Sequence, residues 1–233
     1  MTELCPSALD DVLRQVEETG WHIDGPQAYC GRCGASAGRG SVTESGCAFC
    51  VGKRLPWQRL VRLSAYASPM DQWICTMKFA GCWSWATWLG KLIAEVTPAA
   101  VGSDSTDGAA DVLVCPVPMH WRRRWWRGYN QAHLLAEQVA SVHGWTLAPV
   151  LRRSRYTLPQ TAMKPSQRHE VSRSITACRV DLNGRRVVLV DDVKTTGSTL
   201  AACTRLLKKI GAGKVVVAVA AVADPRHANF KVV

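Results

Sequence analysis

The stretch Val187–Leu200, VVLVDDVKTTGSTL, decides how the rest of the chain is read. Its first half, with Arg186 ahead of it, is a β-branched run suited to a strand buried on both faces and ending at Val190. Asp191 and Asp192 follow at the strand's carboxyl end, where adjacent carboxylates repel unless a metal ion or a sugar diol engages them. Lys194–Thr199 then supplies the hydroxyls of Thr195, Thr196, Ser198 and Thr199, with Gly197 letting the backbone approach a ligand, and opens into a helix over Leu200–Ile210. The N–H groups at a helix N-terminus, backed by the positive end of the helix dipole, cradle anions. A phosphate on the Thr/Gly/Ser turn and a diol on the Asp pair together describe ribose 5-phosphate. No GxxxxGK(S/T) occurs and no GxGxxG follows a strand, which excludes the Walker and dinucleotide loops. The alternative, an ordinary capped strand-to-helix turn, requires an apolar strand, an Asp pair and four hydroxyls to coincide without a ligand.

Working outward, the order strand, helix, strand repeats. Val112–Val117 is a short apolar strand ended by Pro116 and Pro118. Asn130–His143 reads as a helix with Asn130 as N-cap, Leu135, Val139 and Val142 as its inward stripe, and Gly144 closing it. A strand is expected near Thr146–Leu151 and another over Lys214–Ala223. This alternation predicts an α/β domain with a parallel sheet flanked by helices, in which ligands bind beyond the carboxyl ends of the strands. Upstream, Trp85, Trp88, Leu89, Leu92, Ile93 and Val96 recur at helical spacing, so their face is core. Thr97–Asp111 reads as a loop, and Asp10–Glu18 as a short helix with no evident purpose.

Between Tyr29 and Lys53 the chain is rich in Gly, Ser and Cys and has too few apolar residues for a core. It does carry Cys30-x2-Cys33 and Cys47-x2-Cys50, thirteen residues apart. Each pair can form a knuckle presenting two thiolates, and together they predict one tetrahedral zinc ion, with an iron–sulfur centre as the less common use of four such thiolates. Cys5, Cys75, Cys82, Cys115, Cys178 and Cys203 show no ligand spacing and read as small buried or incidental residues. The expected organisation is a helical extension over 1–27, a zinc ribbon over 28–56 and the α/β domain over 57–233.

The formal net charge is +11, unevenly spread. From His120 to Ile175 there are ten Arg or Lys against two acids, a local +8 that attracts polyanions. Within it Arg122, Arg123, Arg124 and Arg127 alternate with Trp121, Trp125, Trp126 and Tyr129. Guanidinium forks for phosphates beside rings on which bases stack suit single-stranded nucleic acid, and they also suit a lid over a pyrophosphate. A solvated basic loop with its Trp packed on the body is the alternative. No run approaches about 18 apolar residues, so no membrane span is expected. The start, MTELCPSALDDVLRQVEE, is acidic where a signal peptide is basic, and a cytoplasmic location is expected.

The strand, Asp pair and Thr/Gly turn of Val187–Leu200 resemble the 5-phosphoribosyl-pyrophosphate (PRPP) signature of the phosphoribosyltransferases of type I fold. That resemblance implies that Asp191 and Asp192 hold the ribose hydroxyls, that Thr195, Thr196, Gly197, Ser198 and Thr199 hold the 5-phosphate, and that Mg2+ accompanies PRPP. The resemblance narrows to the ComF/GntX family through blocks in the family's order. These are CxxC…CxxC, Met77-Lys78-Phe79-Ala80-Gly81, Pro116-Val-Pro followed by Arg127-Gly-Tyr-Asn-Gln131, the Asp/Thr loop, and Thr157-Leu-Pro-Gln160 with Arg168 beyond it. The family usually reads Asn-Val soon after that Arg, where this chain has His169-Glu-Val-Ser-Arg. Membership implies a link to natural competence and the use of external DNA. Two rivals stay open: a metabolic phosphoribosyltransferase with a small acceptor, and a non-catalytic regulator that senses PRPP. Phosphoribosyl transfer relies on positioning and charge stabilisation, so no catalytic side chain is named.

Overall fold

The computed structural model describes residues 9–38, 40–102, 111–153 and 174–223, with the side chains of Leu9, Arg123, Arg124 and Trp126 outside the description. The segment holding Thr157–Gln160 and Arg168 lies outside the described residues.

Five strands form one parallel sheet in the order β1-β7-β6-β2-β3: β1 (Arg59–Ala65), β2 (Val112–Pro116), β3 (Thr146–Leu147), β6 (Arg186–Lys194) and β7 (Val215–Val222). The two most apolar strands lie inside, as burial on both faces requires: β7, VVVAVAAV, is buried along its whole length. One face carries α2 (Met70–Phe79), α3 (Trp83–Val96) and α6 (Gln131–His143), whose apolar residues meet Val188, Val190, Val216 and Ala218. The other meets α7 (Ser198–Lys209) through Val187, Leu189, Val217 and Val219. The α3 and α6 helices cross so closely at Gly90 that a Cβ there would stand 2.6 Å from Gln138 Cβ.

The parallel sheet and flanking helices are as the sequence predicts, with several local differences. Thr146–Leu151 is not one strand: β3 ends at Leu147, and Leu151–Arg153 forms β4, which pairs antiparallel with β5 (Ile175–Ala177) in a separate small sheet. In α6 the inward stripe is Leu135 and Val139, while Val142 is 52% exposed; Asn130 occupies the N-cap, but its amide donates to Val117 O instead of capping. Within Thr97–Asp111, Pro98–Val101 forms one helical turn, α4. Trp121–Arg127, read as a loop or lid, is a short helix, α5.

The short N-terminal helix α1 (Leu9–Thr19) acquires a purpose. Val12 is fully buried against the α2/α3 face, and Trp21 beyond it joins Trp73, Trp85 and Trp88 in a cluster with ring centroids 4.9–5.7 Å apart. Edge-to-face and offset contacts of this kind add to simple burial. Trp85 and Trp88 are therefore core, as their helical spacing indicated, and Trp73 and the partly buried Trp21, outside that pattern, pack with them.

Candidate functional site

The site is built where β6 leaves the sheet. The strand runs four residues past Val190 to Lys194, so Asp191 and Asp192 lie within the strand rather than after it. Strand alternation sets their Cβ atoms on opposite faces, yet the two carboxyl groups stay within hydrogen-bonding reach of each other. Asp192 shares the side of Val188 and Val190, beneath α2, where its Oδ2 accepts an ion pair from Lys78 Nζ at 2.8 Å. Asp191 shares the side of Leu189, towards α7. One oxygen of each accepts a local backbone N–H: Asp192 N–H donates to Asp191 Oδ1 at 2.9 Å and Val193 N–H to Asp192 Oδ1 at 2.7 Å. Burial, reinforced by the charge of Asp192, pushes the Asp191 carboxyl up to about 8, and only the Lys78 cation and a backbone hydrogen bond oppose the rise. Two like charges at a strand end thus stand in different states: one ion-paired, one held near its neutral form.

Thr195–Gly197 turns the chain into α7. Gly197 is the N-cap with φ 79°, in the left-handed region, and a Cβ there would sit 3.1 Å from Lys194 Cε and 3.4 Å from the Trp57 ring. Thr196 Oγ1 meets Ser198 Oγ at 3.2 Å and accepts from Ser198 N–H at 3.4 Å. The Thr/Gly/Ser residues named from sequence are therefore together at the first turn of a 12-residue helix, whose N-terminal dipole favours an anion.

Three sequence blocks converge on this point. Lys78 ends α2, next to Met77 and Phe79; the Tyr129 hydroxyl donates to Met77 O, and the Arg127 guanidinium lies over the Phe79 ring, 4.8 Å from its centroid. Val117 N–H donates to Val190 O at 2.9 Å, and the Asn130 amide to Val117 O at 3.2 Å. Lys78 stands out in the sequence only as part of a block, with no role attached to it. Nothing in the sequence singles out Lys194, at the mouth of the turn, whose amine is pushed down by burial.

The four predicted metal ligands also meet. The sulfurs of Cys30, Cys33, Cys47 and Cys50 all lie within 4.8 Å of one another, with Cys30–Cys50 at 3.7 Å, Cys33–Cys47 at 3.5 Å and Cys47–Cys50 at 3.9 Å. A zinc–sulfur bond of about 2.3 Å in a tetrahedron sets sulfurs about 3.8 Å apart. The cluster therefore fits one ion, and is too tight for an iron–sulfur cluster. Burial opposes ionisation at Cys30, but backbone hydrogen bonds from Cys33, Arg32 and Cys47 outweigh it and bring the thiol down to about 7. Burial pushes Cys33 up. Four adjacent thiolates need a cation. Of the other cysteines, Cys115 and Cys203 are buried as expected, and Cys82 is disulfide-bonded, which spacing alone did not suggest.

The ribbon is docked against this same edge. Leu60 N–H donates to Gly31 O at 2.8 Å and Trp57 Nε1 to Arg32 O at 2.8 Å. Arg62 of β1, 1% exposed, donates to Gly34 O, Ser36 Oγ and Asp24 Oδ2 at 2.7–3.0 Å and lies over the Tyr29 ring. One guanidinium so ties the N-terminal segment, the ribbon and the sheet.

Among the described side chains of α5, the exposed ones are Trp121 (61%), Arg122 and Trp125 (87%), with the Arg122 guanidinium 5.6 Å from the Trp121 ring centroid. Positions 121, 122 and 125 share a helical face, so a cation is flanked by rings turned to solvent. Trp125 stands out in solvent, and Trp121 leans on the ring of the buried His120 with centroids 5.5 Å apart.

Comparison with known proteins bears on this geometry. Competence protein F of Haemophilus influenzae is 30% identical over 192 residues, covering 78% of this chain and 80% of that one. The chain belongs to the ComF/GntX family. DNA utilization protein YhgH of Escherichia coli K12 is 33% identical over 191 residues, covering 81% of this ComF-family chain and 82% of that protein. A phosphoribosyl transferase domain model matches residues 130–232, the part containing β6, the Thr/Gly turn and α7. The adenine phosphoribosyltransferase of Mycobacterium avium is 36% identical over 91 residues, 37% of this chain and 46% of that enzyme. Among the described residues, no helix is long and apolar enough to cross a membrane.

Proposed function

We propose that this ComF-family chain binds PRPP or a related phosphoribosyl compound together with Mg2+, acts in the cytoplasm in DNA uptake or utilisation, and contacts single-stranded DNA through α5. The observation that carries the reading is the convergence on one strand end of the Asp191/Asp192 pair, the hydroxyl turn at the start of α7 and the Lys78 cation. In this reading Thr195, Thr196, Gly197, Ser198 and Thr199 hold the 5-phosphate, and Asp191 and Asp192 take the ribose hydroxyls. Mg2+, a hard cation that binds carboxylate and phosphate oxygens, suits the same carboxylates and would draw negative charge out of a site that resists it. Zinc would close the Cys30/Cys33/Cys47/Cys50 ribbon in a structural role.

The DNA part rests on α5 and on the names of the relatives. Rings as exposed as Trp121 and Trp125, set beside Arg122, favour a nucleic-acid ligand over the small-acceptor alternative. Titrating the protein with an oligonucleotide across a salt series tests it. Each phosphate-neutralising Arg replaced, as in Arg122→Ala, should reduce the log–log salt slope by about 0.7. Trp125→Ala should cost about 1–3 kcal/mol with the slope unchanged, because stacking releases no counterions. If α5 is instead a pyrophosphate lid, an Arg122/Arg123/Arg124→Ala variant loses PRPP binding and keeps DNA binding. Failure of the wild type to bind DNA at low salt refutes the DNA role.

A further inference from the structure

Exposed aromatic rings are concentrated in one part of this molecule. Among the described residues the exposed large apolar side chains are Leu13, Val42, Val51, Val142 and Val180, which are scattered aliphatics, and Phe79, Trp83, Trp121 and Trp125. All four rings lie on α5 or at the turn between α2 and α3. That turn is the Phe79-Ala80-Gly81-Cys82-Trp83 segment, with Gly81 in the left-handed region at φ 69°. Isolated exposed apolar residues are ordinary, whereas rings gathered on two adjoining segments are not.

The two segments are joined. The Arg127 guanidinium lies over the Phe79 ring, and the Trp83 ring meets that of Tyr129 edge-on with centroids 5.9 Å apart. Tyr129 is itself buried and anchored on Met77 O. Phe79 at 48% exposure and Trp83 at 62% therefore flank the Arg127–Tyr129 segment, which continues directly from α5. Lys78, the neighbour of Phe79, holds Asp192. Cations and rings thus alternate from α5, which opens the segment of local charge +8, to the edge of the carboxylate site.

We infer that the α2–α3 turn is a base-stacking platform, with Phe79 and Trp83 receiving nucleobases of a single strand whose phosphates are held by Arg127 and α5. The occupant follows from charge complementarity: rings with guanidinium groups on and beside them suit a ligand with flat π-faces and a regular array of negative charge. The inference rests on the DNA reading above and extends it to residues outside α5. Its geometry brings the strand alongside the phosphoribosyl loop, so the two proposed ligands would share one continuous surface.

Fluorescence anisotropy with full-length, zinc-loaded protein tests the platform. Two labelled strands of equal length are compared, an oligo-dT and an abasic strand with the same phosphates. Phe79→Ala/Trp83→Ala should weaken oligo-dT binding roughly 5- to 100-fold while leaving the abasic strand and the salt slope unchanged. Phe79→Leu/Trp83→Leu, which keeps apolar bulk, should show the same selective loss if the faces of the rings matter. Zinc content and melting temperature equal to wild type exclude misfolding. Unchanged oligo-dT binding in both variants, as expected if the turn docks a protein, overturns the platform while the α5 reading stands, provided Trp125→Ala still weakens oligo-dT. Equal weakening for both strands also overturns it. No binding of either strand by the wild type removes both readings.

Discussion

The zinc ribbon and the β6–α7 turn both meet Trp57, yet different forces hold them. The turn is fixed from below: β6 is paired on both sides, four residues ahead of the Asp pair are buried, and α7 is seated on the sheet by Leu200, Cys203 and Leu207. The ribbon has for its interior four sulfurs, Ala35 and the partly buried Phe49 and Leu55. It is tied to the sheet by polar contacts, chiefly those of Arg62 and the Trp57 indole N–H. A loop inherited from a sheet survives most local changes, whereas a segment without a core depends on a few strong bonds.

The largest effect is expected where that dependence is strongest. Structural zinc contributes about 10–16 kcal/mol of apparent binding free energy in small ribbons, and that energy is folding energy. Chelation, or Cys30→Ser/Cys47→Ser, should unfold residues 28–56 while β6 and α7 keep their amide-exchange protection. Elemental analysis of native protein should return one zinc per chain. A ribbon unchanged in the variant would break the contrast.

Arg62→Met should come next, with the ribbon loosened from β1 and stability lowered by about 3–5 kcal/mol, since removing one partner of a buried ion pair strands the polar groups it served. Denaturant melts measure the loss, and exchange should localise it to residues 24–36 and β1. A change below about 1 kcal/mol, as for exposed pairs, would mean that Arg62 does not hold the ribbon.

The turn should respond more to pH than to mutation. Asp191 ionises in the folded chain at about 8, against 3.8 for an ordinary Asp. The folded state therefore holds its proton more tightly than the unfolded state. Its contribution to stability is full below the ordinary value and is lost progressively as pH rises from there through the folded value. Without ligand the protein should grow less stable over that window, and Asp191→Asn should flatten the trend. A flat profile in the wild type would show that water or a cation already relieves the carboxyl.

What could be read from sequence divides along the same line. Cys30, Cys33, Cys47 and Cys50 were legible because a knuckle is local, and Val187–Leu200 because strand, turn and helix start follow one another without interruption. Lys78 escaped any role because the carboxylate it pairs with is more than a hundred residues away in sequence, and only the folding of α2 over β6 joins them. The extension of β6 through the Asp pair escaped too, since pairing with β7 at Asp191↔Val219 overrides the weak strand preference of Asp. The α5 helix was hidden by aromatic and charged residues without an apolar stripe, and β4 by its dependence on a distant partner, β5.

On the proposed function, the β6–α7 turn binds a phosphoribosyl ligand through its Asp pair. Calorimetric titration of the zinc-loaded protein with PRPP and Mg2+ tests it most directly, in wild type and in Asp191→Asn/Asp192→Asn. The wild type should show one saturable site. Binding should tighten as pH rises towards about 8, where Asp191 loses its proton, and should vanish in a double variant that stays folded and keeps its zinc. Undiminished binding in that variant, or no binding by the wild type, would contradict it.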